Sequence, residues 1–333
     1  MDQHVKFVGV IVLGISFLGT LVSKTSAQEA IRIGTSSVGS VFYTIAIGAS
    51  EVIHKHSGLN ATVEPVGGSS ANMFGLNAEK IEFALANSFA AFTAFKGQQN
   101  FKKPIDVRLV VQGQPSYRWL LLRKGAGIKQ IQDLEGRNVI AKRRALPEIE
   151  LVMDAFVKGF GLKKDKINII ETTDSPQAYN ALRAGSVDAA LMPFSRKAAA
   201  VQKPMTDGVL DFFYAPKEKR DEVLRHLPPM MWGDTFETQV FEGQDKDLHL
   251  IGLNTYFLAR PGVSNENAYK VTKALLENTK EFATYHRAAA LWTLKRTLQN
   301  VALPFHPGAI QYFKEKGVWT TGHEATQKKL LGR

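Results

Sequence analysis

Two segments 106 residues apart carry one pattern: residues 76–85 (LNAEKIEFAL) and 182–191 (LRAGSVDAAL) both read L-x-A-x-x-[IV]-[DE]-x-A-L. The same offset sets Val139 on Ile33, residues 142–146 on the serine-rich loop after Gly34, and Ile169 on Val63, without a gap. Repetition on this scale means one supersecondary unit used twice. In each copy an apolar run is followed by a loop, a segment of helical period and a second apolar run, which predicts strand, helix and parallel strand. The expected fold class is therefore α/β, with two similar lobes, each a largely parallel sheet covered by helices.

In such sheets a ligand lies beyond the carboxyl ends of the strands. The first of these ends is the stretch 34–43 (GTSSVGSVFY). Gly34 and Gly39 permit a tight turn there, while Thr35, Ser36, Ser37 and Ser40 supply hydroxyls at the positive end of the helix that follows. With Phe42 and Tyr43, and with Gly68, Ser69, Asn72, Asn87 and Ser88 from the next two loops, this stretch forms the first lip of a predicted cleft. The second lip is residues 141–146, 173–177 and 193–195, with Arg143, Arg144 and Pro193. An anionic small molecule is the expected occupant. At least one of Arg143 and Arg144 would clamp it, Thr35, Ser37, Asn72 and Ser88 would donate, and Phe42 or Tyr43 would pack on its apolar part. Simple helix capping and an outward-facing arginine pair bonded to Glu148 or Glu150 are the alternatives.

The runs Tyr117–Arg123 and His249–Arg260 bracket the second repeat and read as strands where the chain crosses between lobes. Lobe 1 is then residues 28–126 plus 247–333, and lobe 2 is 127–246. Beyond residue 264 the pattern is helical, with a last helix from Pro307 to Lys316 capped by His306.

The chain of 333 residues is 44% hydrophobic and 22% charged, an ordinary globular composition with material for about two domains. Lys6, the apolar residues 7–22 and the small residues Thr25 and Ala27 read as a secretory signal peptide, residues 1–27, cleaved before Gln28. No later run approaches the roughly 18 apolar residues that span a bilayer. A periplasmic protein without a permanent membrane anchor, taken as a monomer, is the expectation. The chain has no cysteine, which excludes a disulfide scaffold and a lipid on an N-terminal cysteine. Its net charge of +11 becomes +10 without Asp2, Lys6 and Lys24 and favours acidic partners. Nucleic acid is not expected, because no basic run alternates with aromatics. The motifs G-x-S-x-G, H-E-x-x-H and G-x-G-x-x-G are missing, so neither catalytic residues nor a cofactor or metal are expected. His54 and His56 read as solvated side chains at a helix end.

The stretches IRIGTSSVGSVFY (31–43), GGSSANM (67–73), IEFALANS (81–88), IQDLEGRNV (131–139) and LPFHPGAIQYFKEKGVW (303–319) resemble the TAXI-type substrate-binding proteins of TRAP (tripartite ATP-independent periplasmic) transporters. The resemblance runs along most of the chain after residue 27 and is most specific in HPGAIQYFKEKG. It implies a two-lobe, type II periplasmic-binding-protein fold. Such a receptor closes on a small organic solute, typically a carboxylate or an amino acid such as glutamate, and hands it to an ion-gradient-driven TRAP membrane permease of separate or fused subunits. Two departures stand out: Ser36-Ser37-Val38 in place of a glycine-richer run, and Lys142-Arg143-Arg144 in place of a Gly/Pro/Ser-rich loop. A receptor for an ATP-driven importer or a sensor kinase stays open as an alternative, with a two-lobe enzyme the lesser one.

Overall fold

β1 (Ala30–Gly34) buries Ile31 and Ile33 and ends in the serine loop. There the Ser40 hydroxyl accepts from Tyr43 N and starts the helix Val41–Ser57, which Gly58 stops in the left-handed conformation at φ 71°. A computed structural model describes residues 1–2, 30–228 and 230–332 of the chain, so the expected signal peptide lies almost entirely outside the described residues. The first unit continues with β2 (Asn60–Glu64), the helix Ser69–Asn77, β3 (Phe83–Asn87) and the helix Ser88–Lys96. β4 (Arg108–Arg123) then leads to the second unit: β5 (Asn138–Lys142), the helix Glu148–Phe160, β6 (Asn168–Glu171), the helix Ser175–Ala184 and β7 (Ala189–Phe194). β8 (Leu210–Phe212), β9 (Trp232–Phe236) and β10 (Leu248–Ala259) follow, and the chain ends in helices.

The repeat is present at the level of strand register. Ile33 pairs with Val63 of β2 and Phe83 of β3, and Val139 pairs with Ile169 of β6 and Ala189 of β7, each a partner 106 residues on and all in parallel. The sheet order β2-β1-β3-β10-β4-β7-β5-β6 reads as two copies back to back. β10 lies antiparallel beside β3 and β4 lies antiparallel beside β7. Each long strand thus comes from the chain after one unit and completes the sheet of the other. This is the two-lobe, type II periplasmic-binding-protein fold. Its core is divided in the same way. One apolar cluster gathers Tyr117 to Leu253 with Phe89, and two others join residues up to Val111 to residues from Tyr256 on.

The two long strands share an irregularity where they pass between the lobes. Asn254 faces Pro115, but Tyr256 faces Gln112, so Gly113 and Gln114 stand opposite the single residue Thr255. Trp292 lies against this point, and a Cβ on Gly113 would come within 2.1 Å of its ring.

Three expectations change. Residues 67–72 do not form a loop: β2 ends at Glu64, Gly67 and Gly68, at φ 119° and 145°, turn the chain, and the helix begins at Ser69. Its polar residues Ser69, Ser70 and Asn72 are turned inward, which is why the stretch looked irregular. The helical region after Ser264 breaks at Asn278 and Thr293 into shorter pieces, among them Asn265–Glu277 and Thr279–Tyr285. Pro307–Glu315 is followed by another helix, Thr321–Leu330, capped by the hydroxyl of Thr320.

Candidate functional site: an arginine-walled cleft between the lobes

The carboxyl ends of β1 and β3 face those of β5 and β7 across a cavity of about 50 Å³, several times the roughly 10–15 Å³ one water needs. Its floor is Gln114, Pro115, Ser116 and Arg118 of β4. Ser36, Ser40, Phe42 and Ser69 line it from the first unit, and Arg143 and Pro193 from the second.

Arg143 is the centre of the polar wall and is only 2% exposed. Its Nε donates to Thr173 O at 3.1 Å and its Nη1 to Ser175 Oγ at 3.3 Å, both within the second unit. Nη2 reaches across the cleft to Gly67 O at 3.1 Å, Ser37 Oγ at 3.3 Å and Ser36 Oγ at 3.4 Å. Among the described residues no carboxylate pairs with this guanidinium. Burial holds its pKa below the usual arginine value, although Glu148 and Asp174 pull the other way. The other cavity arginine differs. Arg118, 1% exposed, donates to Glu148 Oε1 from Nε at 3.2 Å and from Nη2 at 2.6 Å. Arg118 and Glu148 neutralise each other, so the cavity keeps the one positive charge of Arg143.

Other bonds hold the lips together. Asn87 Nδ2 donates to Glu148 Oε1 at 2.7 Å, and Ser70 N donates to Ala145 O at 3.2 Å. The structure is thus a closed one, its lobes joined by charge-assisted and backbone hydrogen bonds.

Several residues expected at the cleft do not line the cavity. Arg144 is exposed: past the end of β5 successive side chains alternate, so Lys142 and Arg144 point to solvent while Arg143 points in. Asn72 is buried but donates to Leu85 O at 2.7 Å, tying its helix to β3. Asn87 caps the helix Ser88–Lys96 through Ala90 N and serves the Glu148 contact. Ser88 accepts from Asn254 N on the far side of β3 and lines a different cavity. Thr35 is buried behind the loop, its backbone N–H on Glu64 O. Tyr43 follows Phe42 in the first turn of its helix but is turned off the cavity, and Gly68 packs against Ala145 beneath the lips. Ser37 touches the site only through Arg143.

Ser175 and Ser195 fall within the expected second lip, whereas the residues sequence reasoning missed are mostly on β4: Gln114, Ser116 and Arg118, with Tyr179 from the helix Ser175–Ala184. One signal was present. An arginine inside Tyr117-Arg-Trp-Leu-Leu-Leu of a central strand has to be buried and paired. Burial raises the Tyr179 pKa, so this ring presents a neutral phenol.

Among the described residues no group of His, Asp and Glu is arranged to hold a metal ion, and no helix is long and apolar enough to cross a membrane. His56 Nε2 pairs with Glu281 at 2.8 Å, away from the cleft.

The architecture is similar to that of MatC from Rhodopseudomonas palustris with bound malate, at TM-score 0.56 and 12% identity over 87% of this chain and 96% of that one. A Bordetella bronchiseptica RB50 protein aligns at TM-score 0.49 and 15% identity over 91% of this chain and 88% of its own. SsuA from Methylobacillus flagellatus KT, described as a periplasmic sulfonate-binding protein of a putative sulfonate ABC transporter, aligns at TM-score 0.46 and 18% identity over 91% and 95%. The model of the NMT1-like family matches residues 33–317. With most of its length matched, the chain belongs to the NMT1-like family, a family of periplasmic solute-binding proteins.

Proposed function

We propose that this protein is a periplasmic receptor that binds a small anionic organic solute, a carboxylate or an amino acid such as glutamate, between its lobes without transforming it. It delivers that solute to an ion-gradient-driven TRAP permease in the manner of TAXI-type receptors. In this reading lobe 1 is residues 28–126 plus 247–333, lobe 2 is 127–246, and a cleaved signal peptide exports the monomer. One observation carries the proposal: Arg143 is buried in the cavity wall without a carboxylate partner. A buried guanidinium that only neutral oxygens meet is costly, and an anion in the cavity offsets that cost. Phe42, Pro193 and Tyr179 would cover the apolar part of the solute.

The test is a calorimetric titration of the purified chain with glutamate and with simple carboxylates. A charge-assisted bond in a buried site is worth about 1.5–3 kcal/mol, so Arg143→Ala is expected to weaken binding roughly ten- to a hundredfold. Arg144→Ala, on a solvated surface, is expected to change it by less than about threefold. Equal affinities for the wild-type chain and Arg143→Ala would remove the basis of the proposal. Mass spectrometry of the solute recovered after incubation checks that it is unchanged.

A further inference from the structure

A second cavity adjoins the first. It has a volume of about 430 Å³, and Gln114, Pro115 and Ser195 line both, so the two cavities meet at these residues. Four cations line this outer cavity: Arg196 and Lys197 follow β7, while Arg287 and Arg296 come from the C-terminal helical region. The acid that lines it, Asp234, already accepts from the Tyr117 hydroxyl at 2.7 Å. Two of the cations are positioned. Arg196 stacks over the Phe236 ring at 4.7 Å, and Arg296 donates to Gly113 O at 2.6 Å and Asn254 Oδ1 at 3.1 Å. Arg287 is exposed and has no side-chain partner among the described residues. Lys197 is held at φ 57°, a conformation a lysine rarely adopts outside a constrained turn.

The lining common to both cavities carries the second observation. Gln114 Nε2 and Ser195 Oγ are both buried and have no hydrogen-bond partner. Buried polar atoms are ordinarily satisfied, and these two stand between a lone buried arginine and a group of four cations. Closure also brings the cations of the two lobes towards each other, which is unfavourable unless an anion lies between them.

We propose that the outer cavity is a second anion subsite and that the solute is an elongated dianion. One terminal oxyanion meets Arg143, the other lies among Arg196, Arg287 and Arg296, and a polar group between them meets Gln114 and Ser195. This inference rests on the reading of the enclosed cavity as the solute site and specifies the class of solute it takes. Two terminal carboxylates, or a carboxylate and a phosphonate, share the required chemistry.

The experiment titrates the full chain with linear α,ω-dicarboxylates from succinate to suberate, each against the monocarboxylate of the same length, and with the matching phosphonocarboxylates. The best dianion is expected to bind roughly tenfold or more tightly than its monoanion, with the advantage shrinking as salt is raised. Arg287→Ala combined with Arg196→Ala is expected to abolish that advantage while leaving monocarboxylate affinity within about threefold. Both side chains are exposed, so the double variant should fold, and its thermal unfolding checks this. If monocarboxylates bind through Arg143 but dianions bind no better, the second subsite is wrong and the enclosed site stands. If no member of these series binds, the enclosed-site reading falls and takes this one with it.

Discussion

Two arginines share the cavity, and their neighbours decide what each can do. Arg118 lies against Glu148 and is spent on structure, whereas Arg143 meets only hydroxyls and carbonyls and keeps its charge. A third buried cation-capable group has a different consequence. His306 is 1% exposed, with Nε2 beside Val263 O and Nδ1 accepting from Gly308 N. Burial, with Arg108 adding to it, pushes its pKa from 6.5 down to about 4. Above pH 6.5 the imidazole is neutral in the folded and unfolded chain alike; below it the unfolded chain binds the proton first. Stability is therefore lost as pH falls from 6.5 towards about 4, by about 2–4 kcal/mol from this group. Urea unfolding of His306→Asn is expected to show a lower midpoint at pH 7 and a shallower loss on acidification. A slope equal to the wild type's would refute the assignment. Of the site, the sequence made both lips legible, the first through its serines and the second through the arginine pair. It could not show which arginine faces inward, because strand alternation assigns sides only once the strand's end is known.

At the scale of elements, close approach explains what composition hides. Gly308, in the first turn of Pro307–Glu315, lies against the helix Asn265–Glu277: a Cβ there would come within 2.2 Å of Asn265 O and 2.8 Å of Tyr269 N. Neither neighbour is a flexible side-chain end, so Gly308→Ala is expected to cost about 2–3 kcal/mol and lower Tm by several degrees in a thermal melt. An unchanged Tm would show that the two helices can separate freely. The conspicuous HPGAIQYFKEKG stretch has a structural explanation here: a histidine cap, a proline pre-set for the first turn and a glycine that lets two helices touch. β4 was only half legible. Its apolar end, Tyr117–Arg123, reads as a strand, but its first half carries the buried Gln112, Gln114 and Ser116. Those polar residues serve the hinge and cavity floor, and they mask the apolar signal of a strand.

For the whole molecule, the offset of 106 residues was the most informative signal, because a repeated β-loop-α-β pattern dictates parallel pairing of both units in the same register. The closed arrangement was beyond sequence, since it depends on contacts such as Asn87 with Glu148 between residues 61 apart. Without solute, an uncompensated Arg143 and the four cations of the outer cavity oppose closure. The free chain is thus expected to open, with a larger radius of gyration in small-angle scattering that falls on saturation with the tightest carboxylate. An identical scattering curve in both states would count against solute-driven closure.

The exchange of β4 and β10 has a consequence for the integrity of the chain. A polypeptide ending after Arg123 would carry β3 with a bare edge and a long strand with no sheet to join. The place β10 fills beside β3 could then be filled by β4 of a second copy, each half finishing the other as the two halves of the intact chain do now. The two lobes are separate bodies in shape, but they are one piece in assembly, since neither has a complete sheet until the chain has passed through both.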